Sequence, residues 1–174
     1  MTLALDRPWL RGLTLVTVGL TAALALPFLV HLLPADGGPP QGARLLPIFY
    51  AGLVLVLRGA PLPALAVAAL APLLNRALTG MPAGPMLPTL AIELALFTLV
   101  LIAAVRYLPR AARYLGPVAY LAAALAARSL LGADVAPLTA LTATAAVAWP
   151  GLLMLLAIGA VAGNRRADGR SSGV

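Results

Sequence analysis

Four polar side chains gather around a turn in a chain that is otherwise almost wholly apolar. Asn75, Arg76 and Thr79 lead into the turn-rich segment TGMPAGP (79–85), and Glu93 follows it. In a setting with little water, such amide, guanidinium, hydroxyl and carboxylate groups either bind a polar solute or pair with one another. The chain has no cysteine, which excludes disulfides, thiol nucleophiles and Cys-ligated metals.

The composition requires lipid as the solvent for most of the chain. Of 174 residues, 62% are hydrophobic and 10% are charged, and the mean hydropathy is +1.01. A water-soluble domain of this length has too little interior for that much apolar surface. We therefore predict an all-α integral membrane domain over residues 1–163, with a disordered cytoplasmic tail over 164–174. The net charge of +7 comes from arginines at the ends of apolar segments, which argues against nucleic-acid binding.

Six apolar segments predict a single bundle of transmembrane helices. A helix needs about 20 apolar residues to cross the hydrocarbon core. The predicted spans are about 13–33, 45–57, 60–78, 86–105, 114–131 and 139–162. The second is too short for a full crossing, unless Ala43 and Arg44 extend it or one of its ends is thinly covered.

The arginines predict the orientation of the bundle. With both termini cytoplasmic, nine arginines lie inside, and Arg44, Arg76 and Arg128 lie outside. This bias is what the positive-inside rule expects, and an even number of spans places both termini on one side. The three turn-rich loops, at 33–44, 79–85 and 132–137, then face outwards.

Glu93 is the polar residue whose charged side chain costs most free energy to place in the hydrocarbon core of the membrane. It lies about 12 Å beyond the start of its helix, and a charged residue at a helix centre costs roughly 2.5–3.5 kcal/mol. Three interpretations stay open: a structural ion pair with an arginine, contact with a ligand beneath the outer loops, or a protonated carboxyl group. Arg76 and Asn75 are its nearest candidate partners in sequence, and Arg44 and Arg128 lie on the same membrane side.

Other polar residues lie at the same level and predict an outward-opening cavity. His31, Asp36 and Asp134 flank the outer helix ends, where each alone is typical of an interfacial anchor. The candidate substrate-binding residues are Asn75, Arg76, Thr79, Glu93, Thr89, Tyr50, Arg44 and Arg128. Small residues four apart, including Gly19 and Ala23, predict close helix packing, either within the bundle or against a partner membrane protein.

Two stretches resemble a known family. At LLPIFYAGLVLVL (45–57) and LAPLLNRALTGMPAGPMLPTLAIELALF (70–97), the chain resembles the substrate-binding S-components of energy-coupling factor (ECF) vitamin transporters. The shared elements are Pro47, Gly52, TGMP (79–82) and the acid at Glu93, together with six helices and both tails inside. The stretch RGAPLPALAVAAL (58–70) departs from the family, because it has one Gly where members often have a Gly-Pro and spaced-Gly pattern.

The resemblance implies a transport function without catalysis. It implies high-affinity capture of a vitamin or similar metabolite from outside the cell membrane of a prokaryote, followed by delivery inwards with a transmembrane coupling subunit and two ATPases. The docking motif of the family maps to Gly19 and Ala23, a departure from its usual Ala-Ala pair. The chain has no Walker motif, so no cofactor is expected to bind it directly, and ATP would be used by the partner ATPases.

Other interpretations remain. A structural six-helix subunit of cell-shape or envelope machinery has a similar size and hydropathy, and a stand-alone permease would carry the same polar site without partners. An intramembrane hydrolase is disfavoured, because Ser129 and His31 lie on different predicted helices with no orienting signature.

Overall fold

A computed structural model of the chain describes residues 7–34, 37–82, 84–132 and 136–171, with side chains through residue 164. All regular structure in these ranges is helical. The helices are α1 (Pro8–His31), α2 (Gln41–Leu45), α3 (Ile48–Leu57), α4 (Pro61–Thr79), α5 (Met86–Tyr107), α6 (Gly116–Leu130) and α7 (Pro137–Ser171), with a 3-10 turn at Ala112–Tyr114. Because α2 and α3 form one broken segment, the described residues contain the six helical segments that the sequence predicts.

Four of these segments are long and apolar enough to cross a membrane. They are α1, α4, α5 and the Pro137–Asn164 part of α7. The all-helical class and the membrane setting are thus confirmed at this level. The 15 residues of α6 extend about 22 Å, somewhat less than a hydrocarbon core of about 30 Å.

The second segment is broken at Leu46 and Pro47, where the sequence predicts one helix over 45–57. Leu46 takes a left-handed backbone conformation with φ 56° between α2 and α3. Proline has no amide hydrogen and disfavours right-handed helix at the residue before it, so Pro47 starts a new helix and does not continue the old one.

The last segment also differs from the prediction. Helix α7 runs past Asn164 to Ser171, where the sequence predicts a disordered tail. The residues NRRADGR follow a helix that is already formed, so each added residue gains a backbone hydrogen bond without a new nucleation cost. Arginine and alanine also favour helix.

Helix α3 forms the centre of the bundle. All its residues except Val54 are buried, and α1, α4, α5 and α7 pack around it. A helix that is apolar on every side is stable only when it is surrounded, which explains this central position. Gly19 of α1 allows a close approach to α3 and α4, because a Cβ there would lie 2.8 Å from Leu55 and 2.9 Å from Val67.

The bundle has two chemically different ends. At one, Arg128 near the end of α6 donates a hydrogen bond to the Ala140 carbonyl near the start of α7. At the other, Gly159 and Gly163 of α7 approach Arg113 in the link between α5 and α6. We call the first the loop end and the second the basic end.

Candidate functional site

Glu93 lies in the second turn of α5, about 10 Å from the first residue of that helix at the loop end. Its side chain is half-buried and accepts no hydrogen bond from the described residues. Arg128 on the neighbouring α6 is the cation that acts on it electrostatically. The structure therefore places one acid and one arginine near each other inside the loop end.

Arg128 is shared between Glu93 and α7. Its guanidinium donates to the Ala140 carbonyl at 3.3 Å, and it forms no ion pair with Glu93 within 4.0 Å. The attraction between the two charges thus acts over a distance. Neither group is saturated by the other, since an arginine has five N–H donors and a carboxylate accepts several hydrogen bonds.

An aromatic cluster from three helices lies next to this charge pair. The Phe49 ring of α3 packs edge-to-face against Phe97 of α5 and against Tyr120 of α6, with both centroid distances 5.1 Å. Phe97 follows Glu93 by four residues and so shares its helix face. Tyr120 interacts electrostatically with both Glu93 and Arg128. We call Glu93, Arg128 and Tyr120 the loop-end site.

Tyr120 is absent from the candidates chosen on sequence, although the chain offers a signal for it. Only four tyrosines occur, and this one lies within an Ala-rich helix, eight residues before Arg128. A phenol in mid-span needs a polar neighbour more than Leu or Ala does. Phe49 and Phe97 carry no such signal, because apolar aromatics in a membrane helix are equally suited to lipid contact.

The residues before the turn hold the turn itself and do not reach Glu93. Arg76 donates to the Pro82 carbonyl at 3.0 Å, and the Thr79 hydroxyl donates to the Asn75 carbonyl at 2.7 Å. The first bond joins the last turn of α4 to the segment that follows it, and the second lies within that last helical turn. The partner for Glu93 expected nearest in sequence, Arg76, is thus used locally, and Arg128 from a different helix takes that place.

The other predicted site residues lie at two separate places. Tyr50 donates its hydroxyl hydrogen to the Leu45 carbonyl, which bridges the break between α2 and α3. Arg44 is half-buried on α2 and Thr89 is half-buried one turn before Glu93, on the same face of α5. The structure therefore brings Thr89 near the loop-end site, whereas Tyr50 belongs to the helix break.

The residues predicted to flank the site have separate positions. The His31 ring contacts the Pro27 carbonyl through Nδ1 at 2.7 Å, within the last turns of α1. Asp36 and Asp134 lie outside the described residues. The loops to which they belong are described only in part.

The predicted docking residues lie inside the bundle. Gly19 and Ala23 are both buried, and Gly19 faces α3 and α4. Small residues at four-residue spacing let two helix backbones approach, but the spacing alone does not say which helix approaches. The positions of these two residues agree with packing within the bundle, and the docking of a coupling subunit stays a prediction.

A narrow crevice lies beside Arg128. It lies between α6 and α7, its empty space of about 140 Å³ is partly open to solvent, and its lining includes Leu121, Leu125, Ala140 and Thr144. Pockets for small ligands usually hold about 300–1,000 Å³. The crevice is therefore too small for a vitamin as it stands.

Comparisons of the chain with protein-family models, with curated proteins and with solved structures find no match. Function must therefore be inferred from the residues and their geometry. Among the described residues, no three His, Asp or Glu side chains come together to hold a metal ion. The loop-end site offers a carboxylate, a guanidinium and a phenol, which suit hydrogen-bonding and charge contacts to a small polar molecule.

Proposed function

We propose that this chain is a solute-binding membrane protein of the ECF S-component type. It captures a vitamin-like metabolite at the loop end and delivers it across the membrane with a coupling subunit and two ATPases. The observation that carries the proposal is the Glu93 carboxylate, which lies inside an apolar helix with Arg128 nearby and no hydrogen-bond donor from the described residues. An ionisable residue within a membrane helix marks a functional site by default.

The distribution of arginines supports the direction of transport. Nine of the twelve arginines would lie on the cytoplasmic side if both termini are there, and the loop end would then face outwards. In this orientation Glu93 is reached from outside the cell membrane of a prokaryote. The tight, basic links at the other end would face the cytoplasm and the ATPases.

Binding requires the loop end to open. Because the crevice beside Arg128 holds only about 140 Å³, α6 and α7 must separate or the outer loops must move before a metabolite enters. The hydrogen bond from Arg128 to the Ala140 carbonyl joins these two helices. Opening would break this bond and free the guanidinium for an acidic group of the ligand.

The first test is recovery of the assembly. The tagged full-length protein is purified in gentle detergent from its native membranes, and co-purifying proteins and small molecules are identified by mass spectrometry. A polytopic coupling subunit with two ATPases is the expected result. Recovery of cell-wall or cytoskeletal proteins in their place would contradict the proposal.

The second test concerns the carboxylate. Glu93→Gln keeps the side-chain shape and removes the charge, and we expect it to weaken binding of the co-purified metabolite by about tenfold or more, since a lost charged contact leaves the ligand's group unpaired. Thr17→Val, on an exposed face of α1, is the matched control and should bind as the wild type does. Equal binding by Glu93→Gln and the wild type, measured by native mass spectrometry, would remove Glu93 from the site.

A structural role is the second candidate, and the filled interior favours it. Phe49 and Phe97 are almost fully buried, and the crevice beside Arg128 is small. In a structural membrane protein, Glu93 would only balance Arg128. Its replacement by Leu would then change the Tm little or raise it, because well-packed apolar groups often replace buried charges without loss.

A further inference from the structure

The link between α5 and α6 concentrates positive charge at the basic end. Residues 106–115 read RYLPRAARYL and contain three arginines, and no Asp or Glu occurs anywhere from 94 to 133. Arg106 and Arg110 are exposed. We call residues 106–115 the basic link. Its charge is not balanced by any acid between residues 94 and 133.

Arg113 is held firmly within this link while one of its donors stays unused. Its side chain lies against Gly163 of α7, where an added Cβ would come within 2.6 Å of the Arg113 Cβ. Its Nη1 donates to the Asn164 side-chain oxygen, whereas its Nε is buried with no hydrogen-bond partner. A buried donor without a partner costs free energy, but this Nε is closed off from the surface, so the donors open to an outside acceptor are those of Arg106 and Arg110.

Two tyrosines place the basic link at the level of lipid headgroups. Tyr107 is 73% exposed, and the Arg106 guanidinium lies 5.8 Å from its ring centroid. Tyr114 is also exposed, with the Arg113 guanidinium 4.7 Å from its ring centroid. Tyrosines are enriched at membrane–water interfaces, where the ring contacts lipid and the hydroxyl contacts water.

The start of α6 adds few donors to the basic link. Helix α6 begins at Gly116, directly after the basic link, and its first turn has no side-chain cap. The N-terminal N–H groups of a helix attract anions, but Pro117 has no N–H and the Ala119 N–H already donates to a backbone carbonyl. The exposed guanidinium groups of Arg106 and Arg110 are therefore the main donors at this place.

We propose that the basic link binds the phosphate of an anionic phospholipid headgroup. Its positive charge complements the lipid, and its exposed tyrosines lie where a lipid headgroup would meet them. Arginines near an anionic membrane surface gain attraction from it, and guanidinium groups suit phosphate because they donate two parallel hydrogen bonds. The proposal does not depend on a solute site at the loop end.

The test compares two lipids on the full-length protein. The purified chain is titrated in detergent micelles with phosphatidylglycerol or with phosphatidylcholine of the same acyl chains, and bound lipid is counted by native mass spectrometry. We expect a clear preference for phosphatidylglycerol. Arg110→Gln should weaken phosphatidylglycerol binding by about fivefold, and the Arg106→Gln, Arg110→Gln double variant more strongly.

Arg11→Gln is the matched control, because it removes the same charge from an exposed arginine near the start of α1. It should keep the preference for phosphatidylglycerol. Three results would overturn the proposal: no preference for phosphatidylglycerol, an equal loss in Arg11→Gln and Arg110→Gln, or displacement of the lipid by inorganic phosphate at equal concentration. The absence of a lipid preference would indicate that the basic link contacts a protein partner. Displacement by inorganic phosphate would indicate a site for free phosphate.

Discussion

Gly151 of α7 is the position where one added methyl group tests the packing of the broken second segment. A Cβ there would lie 2.7 Å from the Arg44 carbonyl oxygen, 2.7 Å from Leu46 Cγ and 2.9 Å from the Leu45 carbonyl carbon. Two of these three atoms belong to the backbone and cannot rotate away. Gly151→Ala must therefore push α2 and the helix break away from α7.

The magnitude follows from these distances. They fall about 0.5–0.7 Å short of the 3.4 Å at which ordinary van der Waals contact begins, and overpacking of this kind costs about 1–3 kcal/mol. Replacing glycine by alanine within a helix also stabilises the fold by up to about 1 kcal/mol, because alanine loses less backbone freedom on folding. We expect a net loss of about 1–2 kcal/mol, which for a chain of this size lowers the Tm by about 2–8 °C.

The assay is thermal unfolding of the purified protein in detergent, followed by circular dichroism. Gly12→Ala is the matched control, because Gly12 also lies inside a helix and a Cβ there would meet nothing within 4 Å. Its Tm should rise slightly or stay unchanged. If Gly151→Ala unfolds at the same temperature as Gly12→Ala, then α7 does not pack against the helix break as described.

Two further predictions concern the aromatic cluster and the tyrosine hydroxyls, and both use the same unfolding assay. Phe97→Ala should lower the free energy of unfolding by about 3–5 kcal/mol because the ring is fully buried, whereas Phe28→Ala, at a side chain that is 60% exposed, should lower it little. Similar Tm values for the two variants would contradict the central position of Phe97. Tyr50→Phe should lower the free energy of unfolding by about 1 kcal/mol because it removes the hydrogen bond to the Leu45 carbonyl. Tyr120→Phe should leave the Tm nearly unchanged, because the Tyr120 hydroxyl donates to no described residue. A larger loss for Tyr120→Phe would show that its hydroxyl has a structural partner.

Much of the fold could be predicted from local signals. The predicted spans at 60–78 and 86–105 agree with α4 and α5 to within two residues at each end, because long apolar runs and Pro/Gly turns decide helix ends locally. The break at Leu46 was not predicted, although Pro47 is visible in the sequence. Whether a proline starts, kinks or ends a helix depends on what packs around it, and here Gly151 of α7 leaves room for the break.

The candidate site was predicted less completely than the helices. Thr89, Glu93 and Arg128 were among the predicted residues, since ionisable and hydroxyl groups are conspicuous in apolar helices. For Gly19 and Ala23 the sequence left two alternatives open, packing within the bundle and docking of a partner, and in the structure both residues are buried inside the bundle. Burial of a small residue depends on which helix lies opposite, and sequence spacing carries no information about that.

The sequence by itself determined that this chain is helical and suited to a membrane, because both properties follow from the hydropathy and the turn residues along the chain. Only the tertiary structure decided which charges lie near each other. Arg76 lies closer to Glu93 along the chain, but its guanidinium donates to a carbonyl of the segment after α4, and Arg128 approaches Glu93 because α5 and α6 pack side by side. The order of helices in a bundle is decided by how their surfaces fit together, so the loop-end site exists only once the helices have packed.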